Sequence, residues 1–440
     1  MNKSGQKIFQ RIISFMLSVA LLAYAPCAIA DNEPTIINEN EFAEASELLS
    51  YLRIIKKAEN TKEYTQEVSR GQFAIYLVRA LGINEYAAPE KQYFYDVPTT
   101  HWAARAVSEL IERGCISPQN DGLFRPDEYI TKNEAVKMMS CLIGYGQYAE
   151  MNGGYPFGYL NVARKLHFYS GTNMETQKVA LYEAVMMVFN MLRANKYEAA
   201  SVGSTGVKYR ESEQTLLSEV FDIYCITGRL DGVWGVSVDG RIPKKNEIII
   251  EGRAFINELG DMYDKLGRKV RAFYKAEGED EDGTVVSLAL RDNDEYLEVD
   301  ARHATYDKGV LSYYETNDSV KLKTADVAKD AVIIKNASIL GSNVSNELNA
   351  DRGFYRLIDT DKDNIYDIVI LDAYVNGIVA YKETQNSKVY FKNGLKAIEL
   401  YDSSYDRLIL RKKNGSEAAF EDIKANDILT LFETANTLTV

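Results

Sequence analysis

The chain has 440 residues, 46% of them hydrophobic and 26% charged, a composition typical of globular proteins rather than of rods or disordered tails. Its formal net charge of −13 gives no overall attraction to nucleic acid, so nucleic-acid binding is a poor functional hypothesis. Only three histidines are present, which leaves little material for His-based triads or metal cages. The length predicts roughly three domains.

The first thirty residues have the pattern of a secretory signal. Lys3, Lys7 and Arg11 precede an apolar stretch, and the stretch is followed by the small-x-small motif Ala28-Ile29-Ala30. The apolar stretch is about 14 residues long, shorter than the roughly 20 that cross a bilayer. No later segment is long and apolar enough to cross one either. We therefore predict a signal peptide over residues 1–30, export from the cell and no transmembrane anchor.

Residues 41–192 repeat one scheme three times: an apolar-periodic helix, a turn-rich loop, and a polar signature that opens a second helix. The copies cover about 41–83, 93–144 and 155–192, and repeats of this size usually stack because none buries its apolar face alone. The middle copy is the clearest, and it contains Phe94 to Val97, His101-Trp102-Ala103, Gly114, Asp121 to Pro126 and Ile130 to Ala135.

Local signals place the helix starts. Thr131 followed three residues later by Glu134 predicts a capping box, and Ser69 with Gln72 predicts the same box in the first copy. The segment from Asp96 to Thr100 is predicted to cap and open the leading helix of the middle copy.

With these residues in place, the segment 41–192 resembles the S-layer homology family of bacterial cell-surface proteins. The resemblance implies an all-α, three-repeat pseudo-trimer that binds a pyruvylated secondary cell wall polysaccharide in grooves between repeats. It assigns the basic residue of the signature to Arg70 and Lys132, where a cation at a helix start suits the ketal carboxylate. It also assigns Asp96 to sugar hydroxyls and Trp102 to a sugar face.

Each of these residues has a structural alternative. Trp102 is a candidate core residue, Asp96 a candidate N-cap, and Arg70 and Lys132 are candidate solvated charges. In the third copy Leu181 stands where Lys132 stands in the second, which removes the cation. The sequence therefore predicts at most two competent grooves.

The distal half changes character. Small and polar residues over 193–212 predict a linker, and beyond a short helix the apolar period becomes two, as in strands. We predict two β-rich domains over 213–305 and 306–440, as one or two small barrels or sandwiches. The predicted fold class is therefore α+β multidomain, with an all-α module followed by all-β domains.

One acidic loop in the distal half is a candidate calcium site. Asp359, Asp361, Asp363 and Asp367 place carboxylates at alternate positions, and such hard oxygen ligands suit calcium. Asn364 stands where an EF-hand has glycine, and an acidic turn between two strands explains the same residues. Calcium is therefore a possible cofactor, and no other cofactor is predicted.

Two functional classes remain from the sequence. The first is a non-catalytic protein of the cell wall or S-layer, whose β-rich half displays or self-assembles. The second is an exported enzyme on the same anchor, a glycoside hydrolase or peptidase, or a carbohydrate-binding protein. The β-rich half contains no HExxH and no GxSxG motif, which favours the non-catalytic class.

Overall fold

The computed structural model describes residues 39–118, 120–203, 206–291, 295–316, 319–340, 347–403, 405–434 and 437–440. The predicted signal peptide lies outside these residues. No helix within them has the length and apolar character needed to cross a membrane. The described helices are α1 (Glu39–Tyr51), α2 (Thr61–Tyr64), α3 (Arg70–Ala80), α4 (Ala104–Glu112), α5 (Lys132–Leu142), α6 (Gly146–Met151), α7 (Phe157–Lys165), α8 (Leu181–Arg193) and α9 (Leu216–Phe221).

Capping boxes open the second helix of the first two copies, as their spacing predicts. Ser69 Oγ accepts from Gln72 N–H, and the Gln72 side chain accepts from Ser69 N–H at 2.8 Å. Thr131 and Glu134 exchange the same two bonds at the start of α5. At α8, Ala180 has no side-chain acceptor, so only the Glu183 half of the box remains, with Oε2 2.9 Å from Ala180 N.

The three segments that precede α3, α5 and α8 form a cyclic set of backbone hydrogen bonds. Val68 N–H donates to Val179 O at 2.9 Å, Val179 N–H to Ile130 O at 3.1 Å, and Ile130 N–H to Val68 O at 3.0 Å. The first residues of the three helices form a second cyclic set that runs in the opposite sense, since Arg70 N–H donates to Glu128 O, Lys132 N–H to Gln177 O and Leu181 N–H to Gln66 O. The starts of these helices are therefore held to one another.

Helix α8 lies at the centre of the helical core. Every residue from Tyr182 to Leu192 is buried, which requires that other elements cover all its sides. Helices α1, α3 and α9 pack around it, and the same hydrophobic cluster extends to Phe273 in the β-rich half.

The segment predicted as a linker, 193–212, contains a β-hairpin. Strands β1 (Tyr197–Gly203) and β2 (Gly206–Glu211) pair antiparallel. The hairpin packs against the helices. Tyr197 N–H donates to Ile143 O at 2.9 Å, and the Tyr197 ring stacks on the Tyr145 ring with their centres 4.8 Å apart. Small and polar composition predicts a linker here, whereas these long-range contacts attach the segment to the helices.

Three larger sheets make up the β-rich half. The first runs β4-β3-β5-β6-β8-β7, and a further β3–β7 pairing closes it into a barrel. Its strands are β3 (Ile223–Val233), β4 (Val236–Ser237), β5 (Glu247–Ile250), β6 (Arg253–Asn257), β7 (Lys269–Lys275) and β8 (Thr284–Leu290).

The second sheet runs β10-β11-β12-β15-β14-β9, with β13 beside β12, and the third runs β18-β17-β16-β20-β21-β19. The predicted boundary at 305/306 therefore falls inside β10 (Ala304–Asp307), and each predicted domain contains strands of two sheets. The strands are β9 (Glu295–Asp300), β10 (Ala304–Asp307), β11 (Val310–Tyr313), β12 (Lys323–Lys335), β13 (Ser338–Leu340), β14 (Gly353–Asp359), β15 (Ile365–Ala373), β16 (Val375–Glu383), β17 (Lys388–Phe391), β18 (Ile398–Glu399), β19 (Arg407–Ile409), β20 (Ile428–Glu433) and β21 (Thr437–Thr439).

A buried ion pair joins the helices to the first barrel. Arg271 on β7 donates from Nε to Glu44 Oε1 of α1 at 2.6 Å and from Nη2 to Oε2, and neither side chain is more than 5% exposed. Phe189 of α8 meets Phe273 of β7 edge to face, with ring centres 5.8 Å apart. The helical module and the first barrel therefore share one core rather than a flexible connection.

Candidate functional site

Arg70 is the first residue of α3, where the capping box at Ser69 fixes the start of the helix. Its Nη1 donates to Glu134 Oε1 of α5, and its guanidinium lies 5.1 Å from the centre of the Phe124 ring. The side chain is 12% exposed, and its buried Nε–H has no hydrogen-bond partner among the described residues. The solvated-charge alternative for Arg70 is therefore wrong.

A cavity of about 180 Å³ lies against Arg70, and we call it the Arg70 cavity. All three predicted repeats contribute to its wall, with Arg70 from the first and Tyr155 from the third. Its lining residues are Arg70, Phe94, Cys115, Ile116, Ser117, Leu123, Phe124, Glu134, Lys137, Met138 and Tyr155. The cavity thus combines apolar and aromatic walls with two cations.

Sequence reasoning missed Lys137 and Tyr155. Lys137 forms no salt bridge with any described residue, and its Nζ lies 5.5 Å from the centre of the Tyr155 ring. Burial raises the pKa of Tyr155, the Glu134 charge adds to this and the Arg70 charge opposes it, so the phenol keeps its proton at neutral pH. The signal for Lys137 was present, since it interrupts an apolar run of α5 where the third copy has Met186.

Lys132 is the first residue of α5, as Arg70 is of α3, yet its surroundings differ. Its ammonium lies 2.8 Å from Glu183 Oε1 and 2.8 Å from both the carbonyl oxygen and Oγ1 of Thr176, and it also contacts Asn173 O. The side chain is only 7% exposed. The solvated-charge alternative is wrong here too, and protein atoms surround the ammonium.

Asp96 positions a loop rather than a helix. Its Oδ1 accepts from Phe124 N–H at 2.9 Å and its Oδ2 from Arg125 N–H at 2.6 Å. The N-cap of α4 is Ala103, so the N-cap alternative for Asp96 is wrong. Through these two bonds Asp96 fixes Phe124, which forms part of the wall of the Arg70 cavity.

Trp102 is 47% exposed, so the core alternative for this residue is wrong. The edge of its indole ring lies on Gly71, where a Cβ would come within 2.6 Å of Cη2. The residue does not line the Arg70 cavity. Of the four residues implied by the resemblance, only Arg70 lines this cavity, while the half-exposed Trp102 lies on Gly71, the residue that follows Arg70.

The acidic loop of the β-rich half brings three of its four predicted ligands together. Carboxylate oxygens of Asp359, Asp361 and Asp363 lie within 4.8 Å of one another. Asp367 instead accepts from Thr360 N–H at 2.8 Å and from its hydroxyl at 2.6 Å. Asp359 is buried and accepts hydrogen bonds from three backbone N–H groups of the loop. This geometry agrees with a calcium site and equally with an acidic turn.

The middle helical copy is similar to a known protein family. Residues 93–136 match the S-layer homology domain family. The chain carries an S-layer homology domain. Within the match lie Asp96, Trp102, Lys132 and Glu134, whereas Arg70 and the acidic loop lie outside it.

Relatives that match between 30% and 83% of this chain bear names from the cell surface. A "Cell surface protein" of Thermoanaerobacter kivui is 22% identical over 372 residues, covering 83% of this chain and 43% of the relative. A "Surface layer protein" of Brevibacillus choshinensis is 24% identical over 223 residues, 49% of this chain and 20% of the relative. The "S-layer protein sap" of Bacillus anthracis is 22% identical over 139 residues, 30% of this chain and 17% of the relative.

The chain therefore spans less than half the length of these relatives. Together with the S-layer homology domain, the relatives indicate a secreted protein of the cell surface. The predictions of family and location are confirmed to this extent.

Proposed function

We propose that residues 41–192 form a three-repeat, pseudo-trimeric module that holds the protein non-covalently on the cell wall. Its ligand is an anionic, pyruvylated secondary cell wall polysaccharide. The cyclic hydrogen bonds among Val68, Ile130 and Val179 support the three-repeat arrangement, since each copy uses the same position to bond the next. The matched S-layer homology domain at 93–136 supplies the middle copy.

The observation that carries the ligand proposal is the pair of cations in the Arg70 cavity. A ketal-pyruvate carboxylate is planar and anionic, and charge-assisted bonds from a guanidinium to such a group are stronger than neutral ones. Glu134 accepts from only one nitrogen of Arg70, and Lys137 forms no salt bridge with a described residue. The cavity therefore retains net positive character that a bound carboxylate neutralises.

Lys132 is proposed as a second, weaker contact. A ligand carboxylate reaches its ammonium only by replacing the carbonyls of Asn173 and Thr176. Leu181 offers no cation at the third position. Trp102 is proposed to cover a sugar face with its exposed ring, and Asp96 to act by holding Phe124 in place rather than by meeting the sugar directly.

For the β-rich half we propose a non-catalytic role in display or self-assembly at the surface. The shared core at Glu44 and Arg271 supports this role, because it transmits the position of the wall-bound helices rigidly to the first barrel.

Co-sedimentation of the full chain with purified cell walls tests the anchor. Wall fragments that retain the secondary polysaccharide are expected to pull down the wild-type chain, and fragments stripped of it are not. Arg70→Gln is expected to reduce the sedimented fraction several-fold, and Lys62→Gln, an exposed lysine on α2, serves as the matched control. Equal sedimentation with stripped and intact walls would overturn the proposal.

A further inference from the structure

A second cavity lies beside the Arg70 cavity, and no residue assigned from the sequence lines it. Its volume is about 340 Å³, and we call it the α6 cavity because Gly146, Gln147 and Glu150 of that helix contribute to its wall. The other lining residues are Arg113, Gly114, Ser117, Lys137, Cys141, Gly144 and Tyr159.

The two cavities are neighbours that share part of their wall. Ser117 and Lys137 line both of them. The Arg70 cavity alone is smaller than the roughly 300 Å³ at which ligand pockets usually begin, whereas the α6 cavity alone lies within the usual range. The shared wall, rather than the volumes, favours a ligand that occupies both.

The chemistry of the α6 cavity differs from that of its neighbour. Arg113 is already paired with Glu109 outside the cavity, and Glu150 Oε1 accepts from Tyr159 OH at 2.7 Å. Gln147 is exposed and contributes an amide that both donates and accepts. Paired charges, an amide and the Ser117 hydroxyl suit the hydroxyls of a neutral sugar better than a second carboxylate.

The wall of the α6 cavity is fixed by the hairpin β1–β2. Gly144 has a φ of +90°, and a Cβ there would lie 1.9 Å from Tyr197 O, so the strand backbone packs directly against this glycine. Gly146 is packed less tightly, with an added Cβ 3.0 Å from Cys141 Sγ. The cavity is therefore bounded by ordered elements on both sides, which preorganises it.

We propose that the α6 cavity is a second subsite, which takes the neutral sugar next to the acidic one in the same glycan chain. The acidic group lies in the Arg70 cavity, and Lys137 contacts the glycan at the junction of the two. The protein then recognises at least a disaccharide with one acidic end. This inference rests on the proposed function and assigns Lys137 and Gln147 as specificity-determining residues.

The test compares two probes by calorimetric titration of the full chain. One is the monosaccharide that carries the pyruvate ketal, and the other is the same sugar linked to its neutral neighbour, both released from wall polysaccharide. We expect Gln147→Ala to weaken binding of the disaccharide about threefold to tenfold, as for one lost hydrogen bond, and to leave the monosaccharide unchanged. Lys137→Gln is expected to weaken both probes, with Lys62→Gln as control.

The outcomes separate this inference from the proposed function. If wild type binds both probes with equal affinity and Gln147→Ala changes neither, the second subsite is overturned while the anchor remains. If Gln147→Ala weakens both probes equally, the subsite is again overturned, because the residue then acts on the acidic sugar. If wild type binds neither probe, the proposed function itself fails, and the second subsite falls with it.

Discussion

Arg70, the first residue of α3, forms an ion pair with Glu134, the third residue of α5. Lys132 and Glu183 repeat the same relation between α5 and α8, with Nζ and Oε1 2.8 Å apart. Glu134 and Glu183 also accept from the backbone at the start of their own helices. Each of these two glutamates therefore has two roles: it caps the start of its own helix, and it pairs with the first residue of the preceding helix of the series.

The third junction of this series is uncharged on both sides. The corresponding residues are Leu181 at the start of α8 and Gln72 as third residue of α3. Gln72 is exposed and Leu181 is half-buried, so a cation opposite Gln72, or a carboxylate opposite Leu181, would lack the partner that the other two junctions supply. Both charges are absent at this junction, which agrees with a cyclic arrangement in which the cation and the carboxylate of a junction are either both present or both absent.

The cyclic arrangement predicts that the missing pair can be installed. Leu181→Arg and Gln72→Glu are each expected to destabilise the module, and the double variant to recover about 0.5–1.5 kcal/mol of coupling free energy. Urea unfolding followed by Trp102 fluorescence in a Trp234→Phe background measures this coupling. Strictly additive effects would show that the two residues do not face each other.

The buried ion pair between Glu44 and Arg271 predicts that the stability of the helical module depends strongly on its contact with the first barrel. Glu44→Gln leaves the Arg271 guanidinium buried without its carboxylate, and we expect a loss of about 3–5 kcal/mol in the free energy of unfolding. Glu41→Gln is the control, because its carboxylate lies farther from Arg271, at 3.6 Å, and is more exposed. Similar unfolding free energies for Glu44→Gln and Glu41→Gln would contradict a shared core.

The acidic loop predicts a modest response to calcium. Partial desolvation raises the pKa of the exposed Asp361, and the neighbouring Asp363 charge adds to this, so a bound cation relieves repulsion there. We expect calcium to raise the thermal midpoint of the full chain by about 2–4 °C relative to chelator. Because the pKa of Asp361 is raised, protons compete with calcium for this carboxylate more effectively than for an ordinary one, and the response is expected to weaken as the pH falls.

Asp361→Asn is expected to abolish the calcium response, and Asp280→Asn, at the exposed tip between β7 and β8, to preserve it. Scanning calorimetry with calcium and with chelator gives the comparison. An identical midpoint in both solutions would leave the loop as an internally hydrogen-bonded turn.

The helix starts could be predicted from the sequence because their interactions are local. Ser69 with Gln72 and Thr131 with Glu134 lie three residues apart, and that spacing alone brings the groups together in a helix. The β-rich nature of the distal half could be predicted for the same reason, since the alternation of apolar residues along one segment indicates a strand even when its pairing partner is unknown.

The environment of the candidate site could not be predicted in this way. Asp96 bonds residues 28 and 29 positions away, and Lys132 is covered by residues more than 40 positions away. Such partners are decided by tertiary packing, which periodicity does not report. The assignment of strands to three sheets failed to emerge from the sequence for the same reason, since period two says nothing about pairing.

The most direct test of the Arg70 cavity is calorimetric titration of the full chain with wall polysaccharide before and after chemical removal of its pyruvate. We predict saturable binding to the intact polysaccharide, at least a tenfold loss of affinity on removal of pyruvate, and a comparable loss for Arg70→Gln with the intact ligand. Undiminished affinity for the pyruvate-free polysaccharide, or for Arg70→Gln, would contradict the account.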